Sequence, residues 1–204
     1  MAQQAEASTL GMWIFLVTEV MFFGGLFTAY LIYRIWYPEA WAEGSRELDI
    51  QLGAFNTAVL IGSSLTMALA VRAAQTNKQR ATVGWLISTM VLGLVFLVVK
   101  FFEYKHKYDL GHIPGPNFHF EGVHASQVEI FLSLYFAMTG LHALHMLIGF
   151  GIMTAITIMA VRGRFSSEWS TPVELAGLYW HFVDIVWIFL FPLLYLVDRA
   201  GHFA

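Results

Sequence analysis

Several ionisable side chains stand inside long apolar segments of this sequence. Glu19 lies in LVTEVMFFGGLF, Glu103 in FFEYK, and both His181 and Asp184 in LYWHFVDIVWIFLF. Carboxyl and imidazole groups can hold and pass protons, and imidazole also binds metals. A charged group at mid-membrane costs roughly 2.5–3.5 kcal/mol on the insertion scale, so each of these residues is expected to have a partner or a function.

The elements that position these groups are predicted to be membrane helices. The chain of 204 residues is 58% hydrophobic and 12% charged, whereas about 25% charged residues is typical of a soluble domain. Five apolar segments reach the roughly 20 residues that cross a bilayer, near 10–33, 53–73, 82–104, 127–161 and 173–197. The sequence therefore predicts an all-α membrane protein, with one domain over residues 1–204. The fourth segment exceeds a bilayer, so its first turns are expected to tilt or to project into water.

Composition also excludes several classes of function. The formal net charge of -3 argues against a nucleic-acid partner. The sequence has no cysteine, which excludes disulfides, thiolate zinc sites, iron–sulfur clusters and c-type haem attachment. The first apolar run lacks the basic residues and the cleavage site of a signal peptide, so it is interpreted as a retained span.

The loops predict an orientation. The second and fourth loops hold five basic residues: Arg72, Lys78, Arg80, Arg162 and Arg164. The first and third loops and the C-terminal tail also hold five: Arg34, Arg46, Lys105, Lys107 and Arg199. The second and fourth loops are shorter, and their charges lie closer to helix ends. They are therefore predicted to be cytoplasmic, with the N-terminus inside and the C-terminus outside.

Glu19 and Glu103 stand in different settings. No basic residue lies within two helical turns of Glu19, so its partner must come from another helix, a lipid or water, unless the acid stays protonated. Two interpretations of Glu19 are open. It is either a packing residue that bonds to a neighbouring helix, or a carboxyl group on a path for protons or a ligand. Glu103 shares a helix face with Lys100 and Lys107, which suits either an interfacial charge cluster or a functional site.

Histidines on the last two predicted helices allow more than one interpretation. His142 and His145 are three residues apart in TGLHALHMLIG. Their spacing suits either hydrogen bonds between helices or a metal or haem site. A metal or haem would need further ligands from facing helices, and His181 supplies only one, so no metal site is predicted.

The last helix carries a polar stripe of Glu174, Gly177, His181 and Asp184 at steps of three, four and three. Asp184 can accept a hydrogen bond from His181 or from another helix. The stripe is either a structural lock or a route for protons or lipid.

The segments LVTEVMFFGGLF, FFEYK, TGLHALHMLIG and LYWHFVDIVWIFLF together resemble subunit III of haem–copper terminal oxidases, in order and in separation. The resemblance runs from the first predicted helix to the last. Larger members of that family have seven helices, and this chain resembles the short five-helix form. The resemblance implies a V-shaped bundle with a lipid cleft, no metal or haem in the subunit, no catalytic residue, and bound phospholipids as its only expected ligands.

The resemblance also implies roles for individual residues. The buried or proton-linked carboxyl groups are Glu19, which matches the family's carbodiimide-reactive acid, together with Glu103 and Asp184. The lipid-binding set comprises His145, Arg162, Glu174, Trp180 and His181. Of these, Arg162 follows His145 at a longer spacing than the phosphate-binding arginine of many members.

The function implied is that of a non-catalytic subunit of a proton-pumping aa3-type cytochrome c oxidase, which reduces oxygen to water in subunit I. The expected partners are subunits I and II and membrane phospholipids, and a respiratory supercomplex is left open. The expected location is a bacterial inner membrane. Rival interpretations are the corresponding subunit of a quinol oxidase or a nitric oxide reductase relative, a free-standing proton carrier, or a b-type cytochrome. Glu19, where quinol oxidases often have Asp, favours cytochrome c oxidase.

Overall fold

A computed structural model of the chain describes residues 2–116, 118–120, 122–166 and 169–197. These residues form six α-helices, with bounds α1 Ala2–Trp36, α2 Pro38–Arg46, α3 Ile50–Gln75, α4 Gln79–Asp109, α5 Ala125–Val161 and α6 Thr171–Tyr195. Five of the six, all but α2, are long and apolar enough to cross a membrane. The prediction of an all-α membrane protein with five spans is confirmed.

The short helix α2 replaces part of the breaker-rich connection expected after the first span. Pro38 stands in its first turn, where its missing N–H and fixed φ suit a helix start, and Glu39 adds a favourable negative charge there. Its inner face buries Trp41, whose ring meets Phe131 edge-on at 5.6 Å and stacks on Tyr33. The sequence analysis did not predict α2 because this helix has only nine residues, including a proline and a glycine, and is much shorter than the apolar segments that identify membrane spans.

Helices α3 and α4 form an antiparallel pair joined by a tight turn. Asp49 caps α3 by accepting from the backbone N–H groups of Gln51 and Leu52, at 2.8 and 3.2 Å. The turn between the helices places Asn77 in the left-handed region, at φ 61°, which asparagine tolerates better than most residues.

Helix α6 is the centre of the bundle, because it packs against α3 on one side and α5 on the other. Helix α1 contacts α5, α6 and α2, and it leaves much of its apolar surface exposed. Tyr30 of α1 donates to the Leu193 carbonyl at 2.5 Å, which satisfies a carbonyl near the end of α6. Helix α5 has 37 residues and is therefore about 55 Å long, and α2 covers its first turns. The V shape that the resemblance implies stays a prediction.

One end of the bundle gathers the turn between α3 and α4 and the end of α5. Gln79 joins them, since its side-chain amide donates to the backbone carbonyls of Ala160 and Val161 at 2.9 and 3.3 Å. The opposite end holds α2 and the connection between α4 and α5. This arrangement decides which polar residues can meet.

Candidate functional site

Glu19 finds its partner on another helix. Its Oε2 lies 3.1 Å from Nε2 of His145 on α5, and both side chains are largely buried, at 18% and 9% exposure. Tyr179 of α6 donates to the backbone carbonyl of His145 at 3.0 Å, and the ring of Phe23 lies 5.4 Å from the imidazole. The pair thus sits where α1, α5 and α6 meet.

The hydrogen-bond geometry of this pair restricts the tautomers that His145 can adopt. Nδ1 of His145 lies 2.9 Å from the carbonyl oxygen of Leu141, which can only accept, so Nδ1 carries a hydrogen. Nε2 then either accepts from a protonated Glu19 or, as imidazolium, donates to its carboxylate. In both states the two groups share one proton and are neutral together. This neutrality makes the pair tolerable in lipid.

The Glu19–His145 pair lies near the outer surface of the bundle. Neighbouring apolar side chains on both helices are exposed, among them Val20 at 59% on α1 and Leu144 at 51% on α5. Apolar exposure of this extent is usual for a surface facing lipid or a partner subunit. The pair is therefore covered only by a thin layer of side chains on this side of the bundle.

Glu103 belongs to a second, fully buried cluster. Lys100 donates to Oε2 of Glu103 at 2.9 Å and to the hydroxyl of Tyr195 at 2.6 Å. Oε1 of Glu103 accepts from Tyr135 at 2.8 Å and from Tyr195 at 2.5 Å. The ammonium also lies 4.7 Å from the ring centre of Trp187, a favourable cation–π distance. The predicted Lys100–Glu103 contact is thereby joined to α5 and α6.

Lys107 forms a separate link to the connection between α2 and α3. Its ammonium donates to the backbone carbonyl of Glu47 and lies 3.5 Å from the Glu47 carboxylate. Nδ1 of His112, in the loop after α4, is 3.3 Å from the same carboxylate. Partial burial lowers the pKa of His112, and the Glu47 charge opposes that shift. This end of α4 is therefore anchored by charge to the segment before α3.

The polar stripe on α6 is directed mainly at α3, and its members do not bond to one another. Nδ1 of His181 lies 2.7 Å from the hydroxyl of Ser64. The suggested His181–Asp184 hydrogen bond is not formed, since neither carboxyl oxygen of Asp184 has a hydrogen-bond partner among the described residues. Glu174 accepts from Gln75 at 2.9 Å and from Ser170 at 2.7 Å.

Asp184 is 2% exposed, and within the described residues its carboxyl oxygens lack a hydrogen bond of good geometry, although the Ser64 hydroxyl is near. An ionised carboxylate is costly to bury in such surroundings without a charged partner.

Trp180 packs inside the bundle. It is fully buried, and its indole N–H donates to the hydroxyl of Ser63 at 2.9 Å. A Cβ added at Gly93 would lie 2.9 Å from its ring, and one at Gly149 would lie 3.0 Å from it. Glycine on α4 and on α5 thus forms a slot for this side chain. The placement of Trp180 gives it no exposed surface, whereas Arg162 is exposed and both Glu174 and His181 are half-buried.

The two histidines of TGLHALHM point to different neighbours. His142 is fully buried, with Nε2 donating to the carbonyl of Val183 at 3.1 Å and its ring 5.2 Å from Trp187. His145 faces Glu19 instead. Among the described residues, no group of three or more His, Asp or Glu side chains converges as metal ligands would.

Arg162 lies far from these clusters, exposed at the end of α5. It is 17 positions after His145, about 26 Å along the helix axis, so the two residues of the lipid-binding set do not form one contact site. His181 and Glu174 are half-buried and lie on α6. The structure therefore distributes the predicted lipid-binding residues over separate surfaces.

Sequence reasoning missed the partners more than the residues. Tyr135 and Tyr195 complete the Glu103 cluster, and neither carried a signal, because tyrosine is ordinary in an apolar helix. Ser64 and Thr57 of α3 receive His181 and the indole N–H of Trp187, the latter at 3.1 Å. The serine and threonine residues of α3 were the one signal in the sequence, because hydroxyl groups in a membrane helix often bond to side chains of a neighbouring helix.

Comparison with known proteins adds a family to this geometry. The family model for cytochrome c oxidase subunit III matches residues 3–198. Cytochrome c oxidase subunit 3 of Synechocystis sp. is 36% identical over 190 residues, which make up 92% of this chain and 74% of that protein. Probable quinol oxidase subunit 3 of Staphylococcus haemolyticus is 30% identical over 199 residues, 97% of this chain and 92% of that protein.

A third relative has a different organisation. Heme-copper oxidase subunit I+III of Aeropyrum pernix is 31% identical over 192 residues, which make up 91% of this chain and 22% of that longer protein. The resemblance noted in the sequence is confirmed by a match along nearly the whole chain. The chain belongs to the cytochrome c oxidase subunit III family of haem–copper oxidases, as an integral membrane protein that associates with other oxidase subunits.

Proposed function

We propose that this chain is the non-catalytic third subunit of a proton-pumping aa3-type cytochrome c oxidase. In that role it stabilises subunit I, where oxygen is reduced, and holds phospholipid against the complex. The observation that carries the proposal is the family match over residues 3–198. The buried pairs support it, because they link helices of this chain to one another and leave its outer apolar surfaces for subunits and lipid.

Subunit I is proposed as the direct neighbour. The Aeropyrum pernix relative is named for subunits I and III together, so a segment similar to this chain is joined there to subunit I. One chain that carries both parts supports a location of the two side by side in the membrane. Subunit II completes the proposed complex.

Cytochrome c is proposed as the electron donor. The relative named cytochrome c oxidase subunit 3 is 36% identical to the chain, and the relative named probable quinol oxidase subunit 3 is 30% identical. Glu19 supports the same choice. A quinol oxidase subunit is the second candidate, and the similarity to the Staphylococcus haemolyticus protein favours it over a nitric oxide reductase relative.

The Glu19–His145 pair is proposed as a site that holds a proton and contacts a bound phospholipid. The pair shares one proton, lies near the outer surface of the bundle, and is flanked by exposed apolar side chains. A phospholipid there would cover the pair from the membrane side. His181, Glu174 and Arg162 are proposed as further lipid contacts, and Trp180 is reassigned to packing.

The proposed orientation places the N-terminus in the cytoplasm of a bacterial inner membrane. Lys107, one of the basic residues assigned to the outer side, is buried against Glu47, so it adds little positive charge to the surface. Arg80 and Arg162 are exposed at the opposite end of the bundle. This asymmetry supports the cytoplasmic assignment of the second and fourth loops. Arg199, also assigned to the outer side, lies outside the described residues.

Purification of the tagged chain from its membrane in mild detergent tests the proposal. We expect subunits I and II to co-purify, identified by mass, and the complex to oxidise reduced cytochrome c faster than a quinol. Faster quinol oxidation would select the second candidate. Recovery of the chain without any oxidase subunit, together with proton flux in liposomes that hold it alone, would instead establish a free-standing proton carrier.

A further inference from the structure

The short helix α2 contacts the start of α5 through one histidine that lies between two carboxyl groups. Nδ1 of His124 lies 3.3 Å from Oε1 of Glu43, and its Nε2 lies 3.5 Å from Oε2 of Glu39. Glu39 and Glu43 are four residues apart on α2, and His124 is the residue before α5. Both nitrogen atoms of one imidazole ring therefore face carboxyl oxygens of α2.

Only the imidazolium form of His124 satisfies both contacts. A neutral imidazole carries a hydrogen on one nitrogen and a lone pair on the other, whereas the imidazolium donates from both. In the neutral ring, the nitrogen without a hydrogen presents its lone pair to a carboxylate oxygen, and the two repel each other. Loss of the proton therefore removes one of the two polar contacts between α2 and this residue.

Glu43 depends on the imidazole for a charged partner. Its Oε1 faces His124, while its Oε2 is buried and has no hydrogen-bond partner among the described residues. That second oxygen lies against the loop before α5, because a Cβ added at Gly122 would be 3.5 Å from it. A carboxylate with one buried, unbonded oxygen is costly without a cation beside it. The docked position of α2 therefore favours a protonated imidazole.

The other charged groups near this end of the bundle have different partners. Lys107 and His112 both face Glu47, and Glu129, on the second turn of α5, accepts from the backbone N–H of Gly115 at 3.0 Å. The positive end of the α5 dipole disfavours a cation at the residue before the helix. Within the described part of the chain, the ion pairs of the imidazole are with the two carboxyl groups of α2.

The rest of α2 is held mainly by packing. Trp41 meets the ring of Phe131 edge-on at 5.6 Å, and a Cβ added at Gly44 would overlap that same ring. The start of α2 has no side-chain cap, and the hydroxyl of Ser45 is buried without a hydrogen-bond partner among the described residues. Such groups oppose docking, because they bond to water when the helix moves away. The two contacts with the imidazole therefore matter for whether α2 stays docked.

The surface beside α2 leads towards the Glu103 cluster. A cavity of about 360 Å³ lies at the end of α2, where Ser45 lines one side and Tyr195 of α6 lines the other. The hydroxyl of Tyr195 donates to Glu103. Movement of α2 would therefore widen a route for water towards a charge pair that is otherwise almost completely buried.

We propose that α2 is a pH-sensitive lid, which is closed when protonated His124 bridges Glu39 and Glu43 and which loosens when that proton is lost. Histidine changes its charge between about pH 5 and 8, so the lid is closed at acidic pH and loosens as the pH rises through this range. In the proposed orientation α2 lies on the outer side, where a proton-pumping complex releases protons. The link to pumping rests on the proposed function, whereas the lid rests on contacts within this chain.

Hydrogen–deuterium exchange of the purified complex, measured by mass spectrometry, tests the lid. After correction for the intrinsic effect of pH on exchange, α2 should exchange about fivefold faster at about pH 8 than at about pH 5.5, the upper end of the effect of a partly exposed ion pair. The end of α6, which holds Tyr195, should change in the same direction, and the centre of α3 should not change.

Three variants identify the group that responds to pH. His124→Gln should exchange fast in α2 at both pH values, whereas His124→Arg, which is always charged and can donate to both carboxylates, should stay slow at both. The matched control is His119→Gln, because His119 is an exposed histidine of the same loop, and this variant should keep the wild-type change with pH.

Two results would overturn the lid. One is exchange in wild-type α2 that does not change over this pH range, and the other is a change with pH that persists in His124→Gln, because another group would then be the switch. If the chain purifies without oxidase subunits, the proposed function fails, but the same exchange measurements on the isolated chain still decide whether α2 is a pH-sensitive lid.

Discussion

Paired substitution of Lys100 and Glu103 should reveal how strongly this buried charge pair couples α4 to the rest of the bundle. Both side chains are almost completely buried. Oε2 of Glu103 accepts from Lys100, whereas Oε1 accepts from Tyr135 and Tyr195. The two oxygens therefore serve different partners, and a substitution can remove the charge while it keeps the tyrosine bonds.

Each single substitution leaves one buried charge without its counter-ion. Lys100→Met strands the Glu103 carboxylate, and Glu103→Gln places an amide NH₂ against the Lys100 ammonium. Either change is expected to lower the free energy of unfolding by about 3–5 kcal/mol. In the double variant the glutamine oxygen still accepts from both tyrosines, and its NH₂ alone loses a partner, which costs about 1–3 kcal/mol. The coupling energy is then at least about 3 kcal/mol.

Unfolding of the purified chain in mixed micelles, driven by sodium dodecyl sulfate and followed by tryptophan fluorescence, measures all four states of this cycle. Lys105→Met is the control, because Lys105 is exposed on the same helix and should change stability by less than about 0.5 kcal/mol. Unchanged stability in Glu103→Gln alone would refute the reasoning, since Glu103 would then already be neutral. Additive losses in the double variant would equally refute the coupling.

Three further predictions concern packing and the other carboxyl groups. Gly93→Ala should destabilise the chain by about 1–3 kcal/mol in the same unfolding assay, because its Cβ would press on Trp180. The control is Gly84→Ala on the same helix, whose Cβ meets nothing within 4 Å, and it should be neutral or stabilising. Asp184→Asn should shift the free energy of unfolding by less than about 1 kcal/mol, since a carboxamide replaces a neutral acid, and a larger loss would mean an ionised group. Glu19→Gln keeps a hydrogen-bond donor for the imidazole of His145, whereas Glu19→Leu removes it. In thermal denaturation the complex with Glu19→Gln should therefore be more stable than the complex with Glu19→Leu by about 1–3 kcal/mol. Equal melting temperatures would contradict the Glu19–His145 hydrogen bond.

The helices were predictable because a membrane span leaves a long apolar signal in one sequence. Their contacts were not. Glu19 and His145 are 126 positions apart, and composition carries no information on the register between two apolar helices. The prediction that the partner of Glu19 must come from outside its own helix is satisfied by His145, but the sequence could not select that residue.

The residues of the site were partly predictable from spacing. Lys100 and Glu103 share a face of one helix, so their contact followed from the three-residue step. His181 and Asp184 have the same step, yet they do not bond to each other, and His181 pairs with Ser64 of α3 instead. A shared face therefore permits a contact within a helix, and competition from neighbouring helices decides whether it forms.

The polar groups of the spans separate into two kinds when their neighbours are considered. Those of the Glu103 cluster, and the indole and imidazole groups that bond to α3, satisfy one another inside the bundle and so stabilise a single arrangement of helices. The Glu19–His145 pair instead lies near an apolar surface of the bundle, where Val20 and Leu144 are exposed. A substitution in the first kind should act through assembly of the whole bundle. A substitution of Glu19 should act locally, on whatever the membrane or a partner subunit places against α1 and α5.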